Sequence, residues 1–77
     1  MNVTFPGVFG RKSDAVITKW YGEDGKTVQE GEPLYAFEAF KASSTHAAPA
    51  TGVFYKKVEA GTLVRYGQVI AEIVEDV

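Results

Sequence analysis

The chain has 77 residues, eight Lys/Arg against ten Asp/Glu for a net charge of -2, one histidine and no cysteine. That is one small domain, without disulfides or thiolate metal sites, without the several histidines of a His-rich metal site, and with its basic residues too scattered to track phosphate. No apolar run approaches the roughly 20 residues of a membrane span, and the opening MNVTFPG lacks the basic-then-apolar order of a signal peptide. The expected setting is therefore cytoplasm or an organelle matrix, with neither nucleic acid nor membrane as partner.

Eight glycines and three prolines punctuate short runs rich in Val, Ile, Phe, Tyr and Thr, the pattern of an all-β chain. Asn2–Phe5 is the first expected strand. VFGRKSD (residues 8–14) is a loop presenting Phe9, Arg11 and Lys12. Ala15–Tyr21 is the second strand, and its apolar alternation falters between Ile17 and Trp20, which indicates a bulge or a strand end. Trp20 fits a core or lid position. After the turn GEDG come a very short strand at Thr27–Val28 and the turn EGEP. Leu34–Phe40 follows, with Tyr35, Phe37 and Ala39 on one face and Ala36, Glu38 and Phe40 on the other. With the first set inward, Phe40 faces out beside Lys41; a twist at the strand end tucks it inward instead. Ser43–Ala47 returns, unusually polar, with Ser44 and His46 on one face. A lone histidine there reads as a half-buried, hydrogen-bonded imidazole rather than a catalytic group. APATG, Gly52–Val58, EAG, a short strand at Leu63–Val64 and a last strand at Val69–Val74 complete the chain.

The chain also repeats. DGKTVQEGEPLYAFE (residues 24–38) lies beside AGTLVRYGQVIAEIVE (residues 60–75) at a constant offset of 36: Gly25 with Gly61, Val28 with Val64, Gly31 with Gly67, Leu34 with Ile70, Phe37 with Ile73 (61 − 25 = 73 − 37 = 36). A shared spacing of glycines and apolar positions implies two halves with the same turns. Two units close most simply as a pseudo-twofold sandwich, each half burying its apolar face on the other. The offset sets Lys41 against Val77, so Lys41 is expected at the tip of a hairpin between Leu34–Phe40 and Ser43–Ala47, with the chain termini at the opposite end.

Glycine-framed half-repeats around an E-x-x-K hairpin, with Pro49 eight residues after Lys41 and Gly52 beyond it, resemble the biotinyl/lipoyl carrier domain over nearly the whole chain. ITKWYGEDGKTVQEGEPLYAFEAFKA (residues 17–42) is similar to the first half of lipoyl domains, and APATGVFYKKVEAGTLVRYGQVIAEI (residues 48–73) to the second. The resemblance implies a flattened barrel or sandwich of two four-stranded sheets, a single carrier domain over residues 1–77, and a prosthetic group joined to Lys41 through an amide. It also implies that Glu38, Ala39, Phe40 and Ala42 are read by the attaching ligase. The flanking residues point two ways. Glu38-Ala39-Phe40-Lys41 leans towards the E-A-M-K of biotinyl domains. Ala42 leans towards lipoyl domains, Trp20 is more typical of them, and KASS is similar to the K-A-x-S of the lipoylated glycine-cleavage carrier. Lipoate is the favoured group and biotin the alternative. Where many lipoyl domains carry an acidic loop, this chain has Arg11 and Lys12, which with Phe9 make an altered partner loop.

An ordinary lysine ammonium is mostly protonated at pH 7, so the resemblance implies a lipoate ligase or lipoyl transferase (or a biotin protein ligase) that activates the acid and deprotonates the amine. The modified lysine then serves as a swinging arm. With lipoate it shuttles acyl or aminomethyl groups between active sites of a 2-oxoacid dehydrogenase-like or glycine-cleavage-like complex, whose subunits are the partners. With biotin it moves carboxylate between carboxylase and carboxyltransferase. The group holds the chemistry and the protein presents it, so the domain is expected to be a monomeric carrier, not an enzyme. A third reading is an unmodified interaction domain of the same fold.

Overall fold

The computed structural model describes residues 1–75. It contains eight strands: β1 (Asn2–Thr4), β2 (Ala15–Trp20), β3 (Thr27–Val28), β4 (Pro33–Ala39), β5 (Ala42–Ala47), β6 (Gly52–Lys56), β7 (Leu63–Val64) and β8 (Val69–Val74). They form two four-stranded antiparallel sheets, ordered β1-β8-β6-β3 and β5-β4-β2-β7. This is the expected all-β sandwich of two four-stranded sheets.

The 36-residue offset is written into the backbone. Gly25 and Gly61 adopt φ of 82° and 92°, and Gly31 and Gly67 adopt 91° and 80°, left-handed values that glycine takes without steric penalty. The Gln29 N–H donates to Glu32 Oε1 at 2.7 Å, and 36 residues on the Arg65 N–H donates to Gln68 Oε1 at 3.0 Å. The offset carries β2, β3 and β4 onto β6, β7 and β8, so β4 and β8 occupy matching places in the two sheets. Beside β4 lies β5; beside β8 lies β1. The first strand of the chain thus fills the place that a return strand after β8 would have taken.

The apolar faces meet between the sheets. Ile17, Leu34, Phe37, Phe54, Ile70 and Ile73 are fully buried, each contributing about 1.5–3 kcal/mol of burial free energy. Leu34 and Tyr35 are both buried although consecutive, because the β4–β5 register skips from Pro33 to Tyr35. Ile70 and Ala71 repeat this, with the β1–β8 register passing from Val69 to Ala71. The two skipped residues, Leu34 and Ile70, are again one repeat apart (70 − 34 = 36). A further register shift between Ile17 and Lys19 in the β2–β4 ladder is the bulge anticipated before Trp20. Trp20 sits half-buried against the core, its indole N–H donating to the Val58 carbonyl at 3.0 Å.

Four strands end earlier than expected. β1 stops at Thr4, β2 at Trp20, β4 at Ala39 and β6 at Lys56. Phe40 leaves the ladder because it and Lys41 turn to positive φ, and β5 accordingly begins one residue early, at Ala42. The expected match of Lys41 with Val77 lies outside the described residues. The described ends of the chain do lie far from Lys41: Val74 pairs with Val53 at the start of β6, and Thr51 just before it accepts from Glu30, next to the start of β4.

Candidate functional site at the β4–β5 turn

The β4–β5 ladder closes at Ala39 opposite Ala42, leaving Phe40 and Lys41 as a two-residue loop with φ of 53° and 60°. Two successive positive φ values are the signature of the type I′ turn, whose twist matches antiparallel strands. The usual occupants are Asn-Gly; a Phe and a Lys there are sterically disfavoured. The tight loop holds Lys41 on the end of two paired strands, exposed and without a carboxylate partner among the described residues. Two surface clefts, one lined by Tyr21, Glu23 and Lys26 and one by Val3, Tyr35 and His46, lie elsewhere.

A second turn stands beside it. Val8 and Arg11 exchange both backbone hydrogen bonds, at 2.9 and 2.8 Å, with Phe9 and Gly10 between them at φ of 49° and 78°. Gly7 precedes this turn at φ 90°, and a Cβ there would collide with the Arg11 carbonyl, so only glycine fits. The Arg11 guanidinium carbon lies 5.8 Å from the centre of the Phe40 ring, within cation–π range. Phe9 and Phe40 are 58% and 60% exposed. Phe40 therefore takes the outward of its two expected positions, with Arg11 over its face. Lys12 extends the other way, its Nζ 5.6 Å from the Tyr66 ring.

His46 ties the two turns together. Its Nε2–H donates to the Gly7 carbonyl at 3.1 Å, and its ring stacks on Phe37 at 4.4 Å and 25°. Phe9 touches the other end of this aromatic group, 6.3 Å from Phe37. The imidazole is half-buried and hydrogen-bonded, as expected, and it links the edge strand β5 to the loop that carries Arg11.

Of the residues singled out by sequence, Phe9, Arg11, Phe40 and Lys41 gather at one end of the molecule. Ala39 is half-buried and pairs with Ala42, which is exposed, while Glu38 faces outward opposite Ser43. Lys12 is turned to the flank. Tyr66 and the His46–Gly7 link were not anticipated. The glycines at 7 and 10 were the available signal for a tight turn in the loop, and Tyr66 carried none.

Comparison with known proteins identifies the family of the chain. The family model described as "Biotin-requiring enzyme", which covers biotin and lipoyl attachment domains, matches residues 1–73. The dihydrolipoyllysine-residue succinyltransferase component of the 2-oxoglutarate dehydrogenase complex from Buchnera aphidicola is 28% identical over 76 residues, covering 97% of this chain. The chain spans 19% of that relative's length.

Proposed function

The chain belongs to the biotin/lipoyl attachment family, and from that premise we propose that it is a lipoyl carrier domain whose Lys41 is joined to lipoate through an amide. The observation that carries the reading is the address of Lys41: an exposed amine in a two-residue loop of left-handed φ, on the end of a paired hairpin. A ligase needs an amine that projects on a rigid element, because precise sites sit better on strands than on long loops. Glu38 and Ala42 flank it at the surface, Ala39 closes the ladder, and Phe40 stands outward. These are the residues a ligase meets first.

Lipoate is preferred because the relative described above is a dihydrolipoyllysine-residue succinyltransferase component, and because Ala42 and the KASS segment favour it. When attached, the group supplies a dithiolane that takes up and gives back acyl groups. The chain's part is presentation. Tethering turns transfer between partner active sites into a quasi-intramolecular event, at effective concentrations on the order of mM. The partners on this reading are the other subunits of a 2-oxoacid dehydrogenase-like or glycine-cleavage-like complex.

The second reading is a biotin carboxyl carrier, favoured by Glu38-Ala39-Phe40 ahead of Lys41. Intact mass of the chain after co-expression with a lipoate ligase, and separately with a biotin protein ligase, separates the two. A lipoyl increment that is absent from Lys41→Arg is expected. A biotin increment alone reverses the preference, and no increment from either ligase defeats both.

A further inference from the structure

The tip is cationic and aromatic on a chain of net negative charge. Arg11 and Lys41 are exposed there, and Lys12 is exposed on the adjoining flank. Two of these cations stand over aromatic rings, Arg11 over Phe40 at 5.8 Å and Lys12 over Tyr66 at 5.6 Å. The nearest carboxylates in sequence, Asp14 and Glu38, make no ion pair with them among the described residues. At the far end, Glu30, Glu32 and Glu75 are exposed instead. The exposed cations Arg11, Lys12 and Lys41 and the exposed carboxylates Glu30, Glu32 and Glu75 thus fall on different parts of the surface. Phe9 and Phe40 also hold φ values disfavoured for bulky residues while remaining more than half exposed. Each ring keeps one contact, Phe9 with Phe37 and Phe40 with Arg11, and strain held at exposed positions is associated with function.

We infer that the Phe9–Arg11–Phe40–Lys12 face is the docking surface for the ligase that modifies Lys41, and that the ligase meets it with an apolar recess rimmed by carboxylates. This rests on Lys41 being the attachment site. The ligase is the partner that fits because it alone meets all three positive charges. Formation of the amide removes the Lys41 charge, leaving Arg11 and Lys12. Docking to an acidic rim is thus strongest for the substrate and weaker for the product, so the modified domain is released by the reaction itself. Charge complementarity of this kind acts on association and is weakened by salt.

The test uses the lipoate-attaching enzyme of the cells that make this chain, purified by its transfer of lipoate to wild-type protein. Two unmodifiable variants, Lys41→Arg (charge kept) and Lys41→Gln (charge lost), serve as competitive inhibitors of that transfer. At low salt the Ki of Lys41→Gln is expected to be roughly two- to five-fold higher than that of Lys41→Arg. Adding Arg11→Glu and Lys12→Glu to Lys41→Arg is expected to raise its Ki roughly ten-fold, a gap that narrows as NaCl rises from about 50 to about 300 mM. Arg11→Gln with Lys12→Gln should fall between. A Ki within two-fold of Lys41→Arg for the charge-reversed variant, at every salt concentration, overturns the docking surface. Equal Ki values for Lys41→Arg and Lys41→Gln overturn release by charge loss. If the mass of wild-type protein never changes at Lys41, the attachment reading itself fails and the docking inference falls with it. Transfer that proceeds with flat charge dependence defeats the docking inference alone.

Discussion

Replacing Lys41 by glycine should make the unmodified domain more stable. Lys41 sits at φ 60°, where a residue with a Cβ is disfavoured by about 1–2 kcal/mol. Glycine removes that strain but gains freedom in the unfolded chain, which gives back about 0.4–1 kcal/mol. The difference is a net stabilisation of about 0.5–1 kcal/mol, or roughly 2–8 °C in Tm for a domain of this size. Lys41 is exposed and makes no ion pair among the described residues, so little else is lost. Lys41→Ala keeps the Cβ and is the control: it should melt within about a degree of wild type. Lys41→Asn, which tolerates the left-handed region, should lie between alanine and glycine. Thermal unfolding of the four unmodified proteins in one buffer checks the order. If glycine is no more stable than alanine, the turn carries no strain, and the argument that lysine is kept there against the preference of the fold is wrong.

Gly52→Ala should lower stability by about 2 kcal/mol or more, read from the urea midpoint, because a Cβ would stand 2.5 Å from the Val74 carbonyl oxygen and 2.8 Å from Ile73 Cγ2. Trp20→Phe should lose about 1–2 kcal/mol in the same assay, since the Val58 carbonyl then lacks its 3.0 Å indole donor; a loss under about 0.5 kcal/mol would show that water replaces the indole freely. Burial raises the Tyr35 hydroxyl pKa well above its ordinary value near 10. Its neutral form is thus favoured by folding, a contribution fully present below about pH 10 and lost as pH rises beyond it. Chemical stability should fall between about pH 10 and 11.5, and Tyr35→Phe should flatten that fall; an equal slope in both proteins would refute it.

The repeated frame was legible in the sequence because its turns depend on residue type alone. Left-handed glycines at 25, 31, 61 and 67 and buried apolar residues at 28, 34, 64 and 70 need no knowledge of what pairs with what. The place of β1 was not legible in that way. Asn2–Thr4 is bound to β8 about 70 residues away, and nothing local marks it as the counterpart of β5. The tip was read only in part. Lys41 was found by its position in the frame, whereas Phe40 and Lys41 carry no Asn or Gly to announce a type I′ turn. The ladder to either side imposes it. Arg11 is a charge out of keeping with its loop, but its seat over Phe40 depends on two turns meeting, with Gly7 letting the chain pass and His46 holding it to β5. Such a contact has no sequence signature.

The pseudo-twofold also explains why strain collects at Lys41. Each sheet places one strand outside β4 or β8. In one half that strand is β1, about 70 residues before β8 in the chain, so no hairpin turn joins the two directly. In the other half β4 must reverse directly into β5, and the ladder runs to its last pair, Ala39 with Ala42. A two-residue connection of matching twist needs positive φ at both positions. A longer loop would relieve Phe40 and Lys41 but would let the amine range over several more torsions, and fixing each residue again on a partner costs about 1–2 kcal/mol of conformational entropy. The short strained turn holds the amine in place beforehand. Inserting two glycines after Lys41 should therefore leave the core intact and raise thermal stability slightly, while KM for lipoyl transfer rises by several-fold or more. Unchanged transfer kinetics in that insertion variant would mean that exposure of the lysine is enough, and that the geometry of the turn is a consequence of the sandwich without a part in recognition.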